Sequence, residues 1–501
     1  MAETTALGSR LDLGGQWIGH DHHRIMALAA ELGATRYPMH TGTAPQVIDG
    51  GRRLPLASPS VLPAGAALAG VGVLSLTGTP ERWNDTTVDA CLRKVPGRVS
   101  RRLLEVIASI SWTADLDRYS VHAMARMVRQ QGGLRTILST RGGAQDSLLV
   151  EGVGTLTDRL AAELGARVRT GHRVTRLVRD AHGVTVHTGA GTFRAARSIV
   201  TVPPPVAARI EHHPPLPADR AALERNTYMG SVYKAVAVFE RPFWRDRGRA
   251  EFLVLDSPGR AVFDTGSPGG PGHLCTLVAG PEARALDDLD AEERRQVLLA
   301  PLVPHLGTGV LKPVSWHEKA WHLDEHAGGG YVVLPEPGTT EGISPLPHAP
   351  LGPVHWTGTE TADEHAGYLE GAIAIGGTRG PGGGGDPGRR ADSVTGRRRG
   401  RDPGRRPAPV TTCRCGRMPR TTAPVTGRQP TRAARRSTGA TSALSAPPRP
   451  PGRTHSPQGP EEPSRSGRAW SARPAPSRPG PSGAPRPPGG RGRRSRCAPG
   501  S

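Results

Sequence analysis

Cysteine, lysine, aromatic side chains and long apolar runs are all scarce in this 501-residue chain, and each scarcity removes a class of protein. Its five cysteines, Cys91, Cys275, Cys413, Cys415 and Cys497, are odd in number and hold no C-x-x-C pair. That excludes a secreted, disulfide-built scaffold and points to a reduced, cytoplasmic setting. The opening MAETTALGSR has no apolar core and does not read as a signal peptide. The longest apolar run, Ala64–Leu76, contains three glycines and is too short to span a bilayer, so no membrane partner is expected. Lysine occurs four times against 61 arginines.

The formal charge of +21 suggests a nucleic-acid binder until its distribution is read. Residues 377–501 hold 27 arginines, no lysine and 5 acids, so the first 376 residues carry a net charge of −1. The chain therefore reads as a near-neutral body, large enough for two domains, with a basic appendage. The appendage is Pro, Gly, Arg, Ser and Ala with almost no large apolar residue, and cannot form a core. Two readings stand for it. Loss of pattern within one helix, with arginine to the exclusion of lysine, is what GC-rich coding read out of frame would give. A real disordered tail would bind nucleic acid nonspecifically through phosphate contacts.

The most informative stretch is Val354–Gly376, VHWTGTETADEHAGYLEGAIAIG. Val354-His355-Trp356 reads as a strand end that breaks at Gly358, and a helical pattern begins with Tyr368, Leu369 and Ala372. Small and hydroxyl residues between them, Thr359, Glu360 and Thr361, suit an anionic or strongly dipolar ligand at a helix start. Near the other end, Leu11–Leu13 is strand-like and stops at Gly14-Gly15, where a backbone can come close to a ligand. Helical spacing follows at Ile25, Leu28, Ala29 and Leu32, ended by Gly33. His20, His22 and His23 cluster here, but no carboxylate or cysteine is spaced to complete a metal site, and none is expected. His322 and His326, at i and i+4, likewise lack a third ligand.

Leu148–Gly165 combines an apolar run, Gly152-x-Gly154 and a helix opened by a capping box from Thr155 to Asp158. Thr157 stands where a dinucleotide turn needs its third glycine, and no acid follows about twenty residues on. Short strands are expected around Val168, Val174–Val178, Val184–Val186 and Ile199–Val202. Between residues 40 and 144, helical patterns cover Arg101–Ile110 and Val121–Gln130, with no defensible chemistry.

Four motifs in order resemble one family, the flavin-dependent amine oxidases of the monoamine and putrescine oxidase branch. They are DLGGQWIG at Asp12–Gly19, PPLP…R…GSVYK ending at Lys234, WHLDEHAGGGYVVLPEPG at Trp321–Gly338, and GTETA…GYLEGA at Gly358–Ala372. The resemblance covers most of 11–376. It implies an α/β, two-domain FAD-binding amine oxidase fold: an incomplete Rossmann-like flavin domain (1–40, 145–210, 345–376) and a mixed sheet and helix substrate domain (41–144, 211–344). It implies FAD as cofactor, contacted by Gly14, Gly15, Gln16, Trp17, Val174, Trp321, Gly358, Thr359, Glu360, Thr361 and Leu369. Gly330 stands where the mitochondrial members carry a flavin-linked cysteine, so attachment is expected to be noncovalent.

By the same resemblance Lys234 hydrogen-bonds through a water to flavin N5, and Tyr331 and Tyr368 wall the substrate cage. The implied reaction is oxidative deamination of a small amine by O2. His365 departs from the family, which has Trp there. The family's opening strand, G-x-G-x-x-G turn and helix do not precede Leu11, where only ten residues stand. That departure implies weak retention of FAD, and keeps an inactive, flavin-free remnant as the alternative.

Overall fold

The computed structural model describes residues 2–40, 45–247, 252–339 and 346–379. Both readings of the basic appendage fall almost wholly outside them.

The centre of the body is a seven-stranded sheet. Its order is Ser315–Ala320, Val232–Phe239, Gly272–Ala279, Gly259–Asp264, Phe252–Asp256, Gln46–Asp49 and Arg52–Leu54. All neighbours are antiparallel except Phe252–Asp256 beside Gln46–Asp49. Val232–Phe239 (VYKAVAVF) is buried along its whole length, as are Gly259–Asp264 and Gly272–Ala279. Valine and aromatic side chains suit such a strand because both of its faces must be covered. Lys234 is the exception in this run, and it pairs in register with Leu277 and Lys319.

Helices pack beside the sheet. Arg98–Trp112 buries Leu103, Leu104, Val106, Ala108 and Trp112, a spacing that lays one apolar face on the core. It extends the expected 101–110 segment at both ends and stops at Thr113, held in the left-handed conformation with φ 59°. Val121–Gln130 begins at Ser120, whose hydroxyl accepts the Ala123 N–H, and buries Val121, Met124 and Val128 as its pattern requires.

A smaller sheet is built from Val174–Asp180, Gly183–Thr188 and Gly191–Ala195 in antiparallel order, with Glu211–His213 parallel at its edge. At Val168, where a strand was expected, the backbone is extended but unpaired in any strand, after a short 3-10 turn. The Gly191–Ala195 strand was not expected, because its GTFRA sequence alternates too weakly. Ser198–Val200 runs parallel to Val354–Trp356 and so aims the chain at Gly358. Arg10–Asp12 pairs with Ala2–Thr4, and Arg36–Pro38 with Ser147–Leu149.

One local expectation is corrected. The helix Gly154–Leu164 starts before Thr155, so no Thr155–Asp158 capping box forms; the Thr155 hydroxyl instead donates to the Glu151 carbonyl. The helix expected from Tyr368 and Leu369 is Leu369–Arg379, preceded by a separate 3-10 turn at Thr359–Thr361. Among the described residues no helix is long and apolar enough to cross a membrane.

Candidate active site

The first loop to reach the site follows Arg10–Asp12. Gly14 and Gly15 let the backbone turn, and open space stands where a Cβ of Gly15 would project. On either side Leu13 and Gln16 are buried, so the opening is local to the glycine pair. Lys234 reaches this loop from the central strand. Its Nζ donates to the Gly14 carbonyl at 2.9 Å and to Gln16 Oε1 at 2.7 Å, and lies 5.5 Å from the centre of the Trp17 ring. Lys234 is 3 % exposed, and both of these acceptors of its ammonium are neutral. Burial lowers its pKa from the ordinary lysine value, against the opposing pull of Cys275 and Asp12. Trp321 closes the same loop by donating its Nε1–H to the Leu13 carbonyl at 2.7 Å.

Tyr331 keeps 39 % of its surface accessible, and desolvation by the surrounding protein pushes its phenol above the ordinary range. Tyr331 is held from its backbone. The buried Thr113 hydroxyl donates to the Gly330 carbonyl and accepts the Tyr331 N–H at 3.1 Å. A Cβ on Gly230 would collide with Thr113, so that position admits only glycine. Tyr368 is brought close by the packing of Gly367 on Val332, where a Cβ on Gly367 would lie 3.3 Å from the Val332 side chain. Its carbonyl accepts from Thr359 Oγ1 at 2.9 Å, and its ring stands 5.0 Å from that of His22. Gln131 supports the same corner by donating to the Ala366 carbonyl at 3.0 Å. Thr113 and Gln131 come from the stretch in which no chemistry was expected. Their only sequence signal was polarity inside an otherwise apolar helical context.

Within the protein the two threonine hydroxyls of the Gly358–Thr361 turn donate to the Tyr368 and Gly358 carbonyls, and each keeps its lone pairs as acceptors. Gly358 adopts φ 151°, and the Glu360 carboxyl folds back over it, 2.8 Å from where a Cβ would sit. Burial raises the Glu360 carboxyl above the usual range. Leu369 is 38 % exposed at the helix start. Val174 packs with Leu177, Val184, Val354 and Trp356, and so is tied to the strand that feeds this turn.

Two carboxylates missed in the sequence organise the frame. Asp12 accepts the Val153 N–H at 2.6 Å and the Gly154 N–H at 2.9 Å, occupying the start of the Gly154–Leu164 helix. Glu370 accepts the N–H groups of Arg24 and Ile25 at 2.9 and 3.0 Å, capping the helix His23–Glu31. Both acids lie inside the quoted motifs, but nothing in their spacing assigned them to another helix. Because Asp12 fills it, the Gly152–Thr157 turn cannot also bind phosphates.

The histidines rearrange as well. His20 and His23 are exposed, whereas His22 is buried beside Asp21 and His365, with one ligand atom of each within 4.8 Å. The carboxylate partner that the spacing lacked is thus supplied by the neighbouring residue and the fold. His22 Nδ1 accepts the Gly19 N–H at 2.9 Å, so the neutral ring keeps its proton on Nε2, the nitrogen that faces the other two. Such a ring does not ligate a metal there. Burial, aided by His365, pushes its pKa down to about 4. His322 and His326 do not converge: they pair with Asp287 and Glu325 respectively.

Gly15, the buried Lys234, Tyr331 and Tyr368 form the candidate site, and the class the chain falls in is that of the flavin-dependent oxidoreductases. The chain matches the family described as flavin containing amine oxidoreductase over residues 2–378, and it belongs to that family. It is 32 % identical over 400 residues to AofH of Mycobacterium tuberculosis, named as a flavin-containing monoamine oxidase, covering 74 % of this chain and 85 % of that one. It is 27 % identical over 405 residues to human flavin-containing amine oxidase B, covering 73 % and 75 %. Cyclohexylamine oxidase from Brevibacterium oxydans superposes with a TM-score of 0.72 at 27 % identity, over 75 % of this chain and 88 % of that one. The cofactor of this family is FAD, and the residues present fit a flavin at one end, where Gly15 is open and Lys234 Nζ lies against the Gly14 carbonyl.

Proposed function

We propose that this protein oxidises a small primary amine to an aldehyde, ammonia and hydrogen peroxide at the expense of O2 and water. The observation that carries the reading is Lys234: a buried ammonium held by two neutral acceptors, Gly14 and Gln16, beside the open Gly15. Bound noncovalently, FAD supplies the two-electron acceptor for the amine and the path of those electrons to O2. Gly14–Trp17, Trp321, Val174, Gly358–Thr361 and Leu369 are the residues that would hold it.

Each side chain then has a task. Tyr331 and Tyr368 offer two aromatic faces that orient the amine and make its surroundings apolar, which favours the neutral form with a free lone pair. Thr113 and Gln131 fix the backbones that carry those rings. Lys234 places a positive charge where negative charge develops as oxygen is reduced. The domain division inferred from the motifs is part of this proposal, with the site at the junction of the two parts. So is a cytoplasmic setting, supported by the reduced thiols Cys91 and Cys275.

The test is Lys234→Met in protein supplied with FAD. Reduction of the flavin by amine should persist while its reoxidation by O2 slows by about tenfold or more. An unchanged reoxidation rate removes Lys234 from that role.

A further inference from the structure

The contacts of Lys234 single out a residue beyond the lysine itself. An ammonium can only donate, so the 2.7 Å contact fixes the orientation of the Gln16 amide: its oxygen faces Lys234 and its NH2 group faces away. On that side Gln16 Nε2 lies 3.6 Å from Cys275 Sγ, a buried thiol that accepts weakly. Gln16 is 5 % exposed and Cys275 is fully buried, so neither rotates freely. Lys234 thus donates one hydrogen to Gly14 and one to Gln16, and has a third that neither contact uses.

We propose that Gln16 is the positioning residue of Lys234: locked by Cys275, its amide oxygen holds the ammonium over the glycine cradle with its third N–H presented to whatever binds there. The proposal deepens the oxidase reading, and its significance for oxygen reduction rests on that reading. The direction of the lock follows from chemistry. A carboxylate at position 16 would bind the ammonium as an ion pair, hold it protonated and draw it off the cradle. A purely apolar side chain would leave the charge with one acceptor and let it move. A neutral amide does neither.

The charged and titratable surroundings of Lys234 are few. Asp12 and Cys275 act on it from the strands Arg10–Asp12 and Gly272–Ala279. Lys319, its register partner, is turned to Asp324 at 2.8 Å. The Tyr331 phenol stays neutral. Substitution at Gln16 therefore has a readable effect on the lysine.

Four lysines in the whole chain make the measurement direct. Full-length protein labelled with 13C at lysine Cε should give four titrating resonances, with that of Lys234 assigned by its loss in Lys234→Met. Gln16→Met, close in shape, should lower the Lys234 midpoint by about one to two pH units, the equivalent of one charge-assisted hydrogen bond. Gln16→Glu should raise it by at least about one unit. In FAD-loaded protein, Gln16→Met should slow flavin reoxidation by O2 without changing KM for amine, and should have no effect in the Lys234→Met background. If both Gln16 variants fold and neither moves the Lys234 midpoint, the positioning role is overturned. If the midpoint moves but the oxygen step does not, the positioning stands and the part of Lys234 in oxygen reduction is refuted. Should Gln16→Met fail to fold, Gln16→Glu alone decides, since an unmoved midpoint there also overturns the proposal.

Discussion

Replacing Thr113 by valine should destabilise the body through Tyr331, some 218 residues away in sequence. Valine has nearly the shape of threonine, so the change opens no cavity and removes only the hydroxyl. That hydroxyl donates to the Gly330 carbonyl and accepts the Tyr331 N–H, and Thr113 itself is fully buried. Two backbone groups are left without partners. Each unsatisfied buried group costs about 1–3 kcal/mol. The total is therefore about 2–6 kcal/mol, toward the lower end because Tyr331 is 39 % exposed and its N–H is only partly buried. The left-handed backbone at Thr113, φ 59°, is no easier for valine, so no relief of strain offsets the loss. Thr113→Ser keeps the hydroxyl and loses one methyl, worth about 1 kcal/mol. Urea unfolding followed by circular dichroism should place the valine variant at least about 1 kcal/mol below serine. Equal stability of the two would refute the clamp.

Three further outcomes are expected. Asp12→Ala should lose about 3–5 kcal/mol, because two charge-assisted bonds to the start of Gly154–Leu164 go with it, and a thermal transition unchanged from wild type would contradict that role. His22 and His273 have folded pKa values pushed down to about 4 by burial, below the unfolded 6.5, so the unfolded chain takes up protons first. Stability should be full above about pH 6.5 and fall toward pH 4, by at most about 3 kcal/mol for each residue, and His273→Gln should flatten that part of the profile. Phenylalanine in place of Tyr331 should keep activity better than leucine does, since the ring face rather than the phenol is asked to hold the amine, and steady-state rates on one amine compare them.

Most of the site was legible as motif. DLGG, GSVYK, GGGYVVL and GTETA…GYLEGA each marked a segment that the fold carries to one region, and the strand around Lys234 showed in its valines. What the sequence hid were partnerships between segments. Asp12 and Glu370 were visible residues, but a carboxylate that caps a distant helix leaves no local periodicity. Thr113 and Gln131 sat in a stretch whose apolar spacing described its core face and said nothing of polar side chains turned the other way. The internal bonds of Thr359 and Thr361, to the Tyr368 and Gly358 carbonyls, were likewise invisible in the sequence. The histidine run at 20–23 misled because only backbone geometry decides that His22 turns inward to Asp21 and His365.

The central claim is that this chain transfers electrons from an amine through FAD to oxygen. Its most direct test is the visible spectrum of the full-length protein with FAD, titrated with a small primary amine under nitrogen and then exposed to air. The flavin absorbance should bleach in proportion to the aldehyde and ammonia formed, and should return on aeration with an equivalent amount of peroxide. A bound flavin that no amine bleaches, across aliphatic, alicyclic and aromatic primary amines, would contradict the account.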